Sequence, residues 1–135
     1  MSAINVNRFL RLLLKDQAPA GTTFVTKRPA DLGEKLPLVY ARHVAGSGMH
    51  PRYASWASVT VDAYTAHEDD PHDLAAWAHD ALLAAWEQQT VREGVSISQL
   101  EVLLPPFDLD DPLESSITNR STAEYRLLLR AHATS

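Results

Sequence analysis

The spacing of hydrophobic positions changes several times along this chain, and each change marks an element. From Ile4 to Leu14 the apolar residues are Ile4, Val6, Phe9, Leu10, Leu12, Leu13 and Leu14, a broad stripe that predicts a helix covered by something larger. Pro19 and Gly21 end it. The β-branched stretch from Thr22 to Pro29 predicts a short strand, and "LPLVYARHV", Leu36 to Val44, a stronger one. From Ala54 to Thr65 the period is two, with Ala57, Val59, Val61 and Ala63 on one face and Trp56, Ser58, Thr60, Asp62 and Tyr64 on the other. That alternation is the mark of a strand with unlike faces.

The segment from Glu68 to Gln89 returns to helical spacing. Asp70 can serve as N-cap, Pro71 stands at the first helical position, where its missing N–H costs nothing, and Asp73 favours the positive end of the dipole. Leu74, Trp77, Ala78, Ala81, Leu82 and Ala85 fall on one face. Gly94 terminates this segment, and Val95 to Pro105 predicts a strand with Leu100, Val102 and Leu104 inward. The stretch from Pro105 to Ser121 is rich in proline and aspartate and predicts a long irregular loop, a place for partner contacts. Thr122 to Ala133 alternates Tyr125, Leu127, Leu129 and Ala131 against Glu124, Arg126, Leu128 and Arg130, which predicts the final strand. The order is helix, three strands, long helix, two strands. It predicts an α/β (α+β) fold: a single mixed, mainly antiparallel sheet of about five strands, with the N-terminal helix and one long central helix packed on it.

At 135 residues, with no linker and no internal repeat, the chain reads as one domain spanning 1–135. It has no cysteine, which excludes disulfides, zinc–thiolate sites and cysteine nucleophiles. A composition 45% hydrophobic and 21% charged fits a globular protein, and no apolar run reaches the roughly 18 residues of a membrane span. Arg8, Arg11 and Lys15 interrupt the N-terminal apolar stretch, so it reads as a mature amphipathic helix rather than a signal. The net charge of −5 argues against direct nucleic-acid binding, which requires a basic footprint.

Candidate chemistry is sparse. "AGSGMHPRY", Ala45 to Tyr53, sets glycines beside His50, Arg52 and Tyr53, but strands flank it on both sides, and a phosphate cradle needs a following helix N-terminus. It reads as a hairpin connection whose tip, with Met49, His50, Arg52 and Tyr53, meets a partner subunit. His72 and His79 are seven residues apart, two helical turns, too far to share a metal easily. The acids around His67 fit a helix N-terminus better than a ligand set. No G-x-S-x-G elbow occurs, and the run Asp108, Asp110, Asp111, Glu114 lacks an EF-hand pattern. No catalytic, cofactor or metal residue is assigned. The candidate contact residues are Met49, His50, Arg52, Tyr53, Trp56, Phe107, Asp108, Asp110 and Asp111.

The segment "TKRPADLGEKLPLVYARHVAGSG" carries a basic, proline-containing stretch into a strand and a glycine-rich turn. "VTVDAYTAHEDDPHDLAAWAHDAL" then carries a strand through an acidic link into an alanine-rich helix. This order and texture resemble the tail terminator (tail completion) proteins of long-tailed bacteriophages. The resemblance implies a structural virion protein that assembles as a homohexameric ring at the head-proximal end of the tail. Such a ring ends tail-tube polymerisation and joins tube to neck and capsid without covalent chemistry. It implies contacts with the tail tube protein and neck connector proteins, assembly in the host cytoplasm, and passage of genomic DNA without specific binding. Six chains of net charge −5 would carry about −30, repelling DNA in the lumen if the charges face inward. Rival readings are another head-to-tail connector or neck ring subunit, a monomeric adaptor, and a small hydrolase-type enzyme using His50 and the acids of residues 68–73.

Overall fold

The computed structural model describes residues 4–50, 54–66, 69–109 and 118–132. Helix α1 spans Val6–Leu14, strand β1 Thr23–Val25, β2 Leu38–His50, β3 Ala54–Ala66, α2 His72–Glu87, β4 Val95–Leu109 and β5 Thr118–Ala131. The five strands form one mixed sheet in the order β1-β2-β3-β5-β4. β1 runs parallel to β2, and every other pairing is antiparallel. The predicted class and element order are therefore those of the molecule.

Both helices cover one face of the sheet. Phe9, Leu10, Leu13 and Leu14 of α1 and Leu74, Ala78, Leu82 and Ala85 of α2 close over Val39, Ala41, Val59, Val61, Ile97, Tyr125, Leu127 and Leu129, all at most 8% exposed. These are the in-facing positions of the period-two alternation, so strand parity alone sets which side chains reach the core. Asn5 caps α1 by accepting the Arg8 amide at 3.1 Å. At α2, Pro71 already has helical angles and Asp70 Oδ1 accepts the His72 amide at 2.9 Å, so the helix starts within a residue of its expected position. On the opposite face of the sheet, Leu32 in the β1–β2 connection packs on Leu38 and Tyr64 at one end.

Three expectations fail, each for a local reason. Ala45 to His50, expected within a connecting loop, continues β2, and His50 pairs with Ala54. The glycines fall at a register shift between Gly46 and Met49 instead of at the turn, the bulge use of glycine inside a strand. Pro105 to Leu109 and Thr118 to Ser121, expected as irregular chain, belong to β4 and β5. β4 is the sheet's outer strand, and Pro105 and Pro106 sit inside a register shift between Leu104 and Phe107; proline is tolerated at such edge bulges. Val102 and Leu104 are not buried in the core: they are 40% and 41% exposed. A register shift between Val102 and Leu104 turns Leu104 to the other face, whereas Val102 keeps the helix side and is exposed at the margin of the outermost strand.

Candidate assembly interface

The sheet face turned away from the two helices is built from the even-numbered residues of β3 and β5, the partners of which in β2 are Leu38, Tyr40 and Arg42. Antiparallel pairing sets Tyr40, Asp62, Thr122 and Phe107 in one row, Arg42, Thr60, Glu124 and Leu104 in the next, and Ser58, Arg126 and Glu101 in a third. At its centre Asp62 is 1% exposed. Arg42 Nη1 donates to Asp62 Oδ2 at 2.8 Å, Arg120 Nη2 to the same oxygen at 3.3 Å, and the Thr122 hydroxyl to Asp62 Oδ1. A buried carboxylate is tolerable only with this density of cationic donors.

The arginines also lie over aromatic rings. The Arg42 guanidinium sits 4.6 Å from the Tyr40 ring centre, Arg120 5.7 Å from Tyr64, and Arg126 4.2 Å from Trp56. Stacking lays these side chains along the sheet, with the Nε of Arg120 and of Arg126 buried. Burial, with the Asp62 charge next, pushes the Tyr64 hydroxyl above its ordinary pKa, against the opposing pull of Arg120, Arg28 and Arg42. The raised pKa keeps this buried hydroxyl protonated, so it is not an acid poised for chemistry.

At the β4 margin this face becomes apolar. Val102, Leu103, Leu104 and Phe107 are 40–47% exposed on a strand whose outer edge pairs with no other strand among the described residues. Leu104 and Phe107 share the face away from the helices with their row partners Glu124 and Thr122, whereas Val102 pairs with Tyr125 on the helix side.

The candidate contact residues do not converge. Met49 and His50 lie in β2 beside the start of β3, close in register to Trp56. Phe107 and the exposed Asp108 lie toward the other end of the sheet. Leu128, opposite Trp56, and Thr122, opposite Phe107, are six residues apart on β5, about 20 Å at strand rise. Arg52, Tyr53, Asp110 and Asp111 lie outside the described residues. Sequence reasoning missed Arg42, Asp62, Arg120 and Arg126 as one cluster. The available signal was an aspartate inside an alternating strand, which needs a cationic partner when buried.

Other polar groupings have local structural roles. Ser96 Oγ lies 2.7 Å from His132 Nε2, but Ser96 is 1% exposed and closed to a substrate. His79 Nδ1 meets the Tyr125 hydroxyl at 2.8 Å under α2. Burial, with the Asp80 charge second, drives the Tyr125 pKa far above its ordinary value. Trp86 and Trp77 pack at the core's margin, Trp86 donating Nε1–H to the Ser98 carbonyl at 3.2 Å. Among the described residues no group of three or more His, Asp or Glu side chains is placed to hold a metal ion, and no helix is long and apolar enough to cross a membrane; His67 and Glu68 lie outside that description. In comparisons with known proteins, no family model matches the chain and no curated protein matches its sequence.

Proposed function

We propose that the chain is a structural ring subunit of a phage tail terminator, acting by contact and not by covalent chemistry. In this reading six copies close a ring on the head-proximal end of the tail tube, stop its growth, and present a surface to the neck proteins. The observation that supports it is the β4 margin. A long edge strand with four large apolar side chains 40–47% exposed is a surface that solitary domains avoid, because it invites pairing and aggregation. It suits a subunit whose neighbours cover it. The sequence resemblance adds the position in the particle.

The test is native mass spectrometry of the purified chain across a concentration series, with negative-stain imaging of any oligomer and of its mixture with purified tail tubes. The expected result is a closed hexamer that caps one tube end. Phe107→Asp and Leu103→Asp should each raise the concentration at which rings form by at least about tenfold, the equivalent of roughly 1.4 kcal/mol per contact. A chain that stays monomeric throughout and never binds tube ends would overturn the proposal.

A further inference from the structure

Far from the arginine cluster, an open groove between α1 and the chain leaving β1 has a volume of about 400 Å³. It is lined by Asn5, Asn7, Arg8, Arg11, Leu12 and Thr26. Asn5, Arg8 and Leu12 follow one ridge of the helix and Asn7 and Arg11 the next, all of them off the buried stripe of Phe9, Leu10, Leu13 and Leu14. Thr26 closes the groove from the end of β1.

The side chains of this groove present donors. Asn5 Oδ1 accepts the Arg8 amide at 3.1 Å, and Asn7 Oδ1 accepts the His43 amide at 2.8 Å. With both carbonyl ends engaged by backbone N–H groups, each asparagine is left with its Nδ2 group, which only donates. Arg8 gives Nε and Nη2 to the two oxygens of Glu93, each at 2.7 Å, and keeps Nη1. Glu93 offsets the Arg8 charge, so the cation that counts is Arg11. Its guanidinium has no hydrogen bond or ion pair with a described residue. No carboxylate of a described residue lines the groove. Lys15 stands one turn beyond Arg11, and Lys27 follows Thr26.

We propose that this groove binds a small phosphomonoester, its phosphoryl oxygens held by the Arg11 guanidinium, the Nδ2 groups of Asn5 and Asn7 and the Thr26 hydroxyl, and its organic part resting on Leu12. Donors without a competing carboxylate select an anion, and a guanidinium fork matches phosphate oxygens in pairs. A carboxylate offers only two oxygens, whereas a phosphomonoester offers three acceptor oxygens to donors that arrive from the helix and from Thr26. The volume lies within the usual range for small-molecule sites, about 300–1,000 Å³, and leaves room beyond the phosphoryl group. The inference is independent of the ring reading above.

Titration of the isotope-labelled chain with phenyl phosphate, inorganic phosphate and benzoate, followed by NMR, tests this. Phenyl phosphate should move the Asn5 and Asn7 Nδ2 signals and the Arg11 Nε signal together in one saturable step. Its apolar ring on Leu12 should make it bind at least about threefold more tightly than inorganic phosphate. Arg11→Gln should weaken it by at least about tenfold, the loss expected for one charge-assisted contact. Arg11→Lys, which keeps the charge without the fork, should fall between. Arg11 is exposed, so both variants should melt with the native chain. Equal binding by the native chain and Arg11→Gln would refute the site, as would shifts confined to arginines outside the groove. Benzoate binding as tightly as phenyl phosphate would refute the phosphoryl assignment. Co-sedimentation with vesicles containing phosphatidic acid, lost in Arg11→Gln and unaccompanied by phenyl phosphate binding, would refute the small-molecule ligand and place the phosphate on a lipid.

Discussion

Replacing Asp62 with alanine strands two arginines above a closed sheet surface. The carboxylate is 1% exposed and takes donors from Arg42, Arg120 and Thr122. Removing one member of a buried ion pair typically costs about 3–5 kcal/mol, much of it the penalty of the uncompensated partner charge. Arg42 and Arg120 remain 30% and 23% exposed, so water relieves part of the penalty, and about 3 kcal/mol is expected. Unfolding entropies of about 2.1 cal/mol/K per residue convert that to a melting-point fall of about 10 °C for a chain of 135 residues. Asp62→Asn, which keeps an acceptor but not the charge, should fall about half as far. Circular dichroism melts at pH 7, below the concentration of assembly, provide the measurement. A cycle with Arg42→Met isolates the pair, and alanine at 62 should cost less in that background because one stranded cation is gone. A fall of less than about 2 °C for Asp62→Ala would refute the reasoning, since it would mean the arginines reach water without their carboxylate.

Two further outcomes follow from the core. Leu82, fully buried at the centre of α2, should lose about 3 kcal/mol on substitution by alanine, with the midpoint of urea unfolding lowered and its slope unchanged; a loss below about 1 kcal/mol would mean the helix layer collapses into the gap. Tyr125 is held neutral by burial and by the Asp80 charge. Its raised folded pKa means stability is intact below the unfolded tyrosine value of about 10 and is lost as pH rises beyond it. Tyrosinate absorbance should therefore show Tyr125 ionising only together with loss of the helical signal, and Tyr125→Phe should remove that part of the alkaline sensitivity.

The sequence was most legible where a single physical rule acts alone. Alternation from Ala54 to Thr65 specified both faces of β3, and the Asp70–Pro71 pair located the start of α2. It was least legible where a residue type has two structural uses. Glycine marks turns and also bulges, and Gly46 belongs to a bulge. Proline ends most strands but survives at an edge, and nothing local in "LLPPF" says that β4 is outermost. The facing of Leu104 likewise depends on a register shift in the pairing with β5, and the exposure of Val102 on β4 being outermost, both long-range properties. For the candidate interface, Trp56 and Phe107 stood among the candidate contact residues from the sequence. The arginine cluster was not, because Arg42 and Arg120 are distant in sequence and meet only through Asp62.

The position of β5 also governs the route by which this sheet is made. β5 lies between β3 and β4, pairing with one along its whole length and with the other across its bulges. Until residues 118–131 are synthesised, the β2–β3 hairpin has an open inner edge and β4 has nothing to pair with. A nascent chain on the ribosome can form α1, the hairpin and α2 early, but the sheet closes only by late insertion of β5 between β3 and β4. Long-range pairing of that kind is slow and exposes strand edges to aggregation. During that interval a chaperone that shields β3 would protect yield more than any gain in the finished molecule's stability.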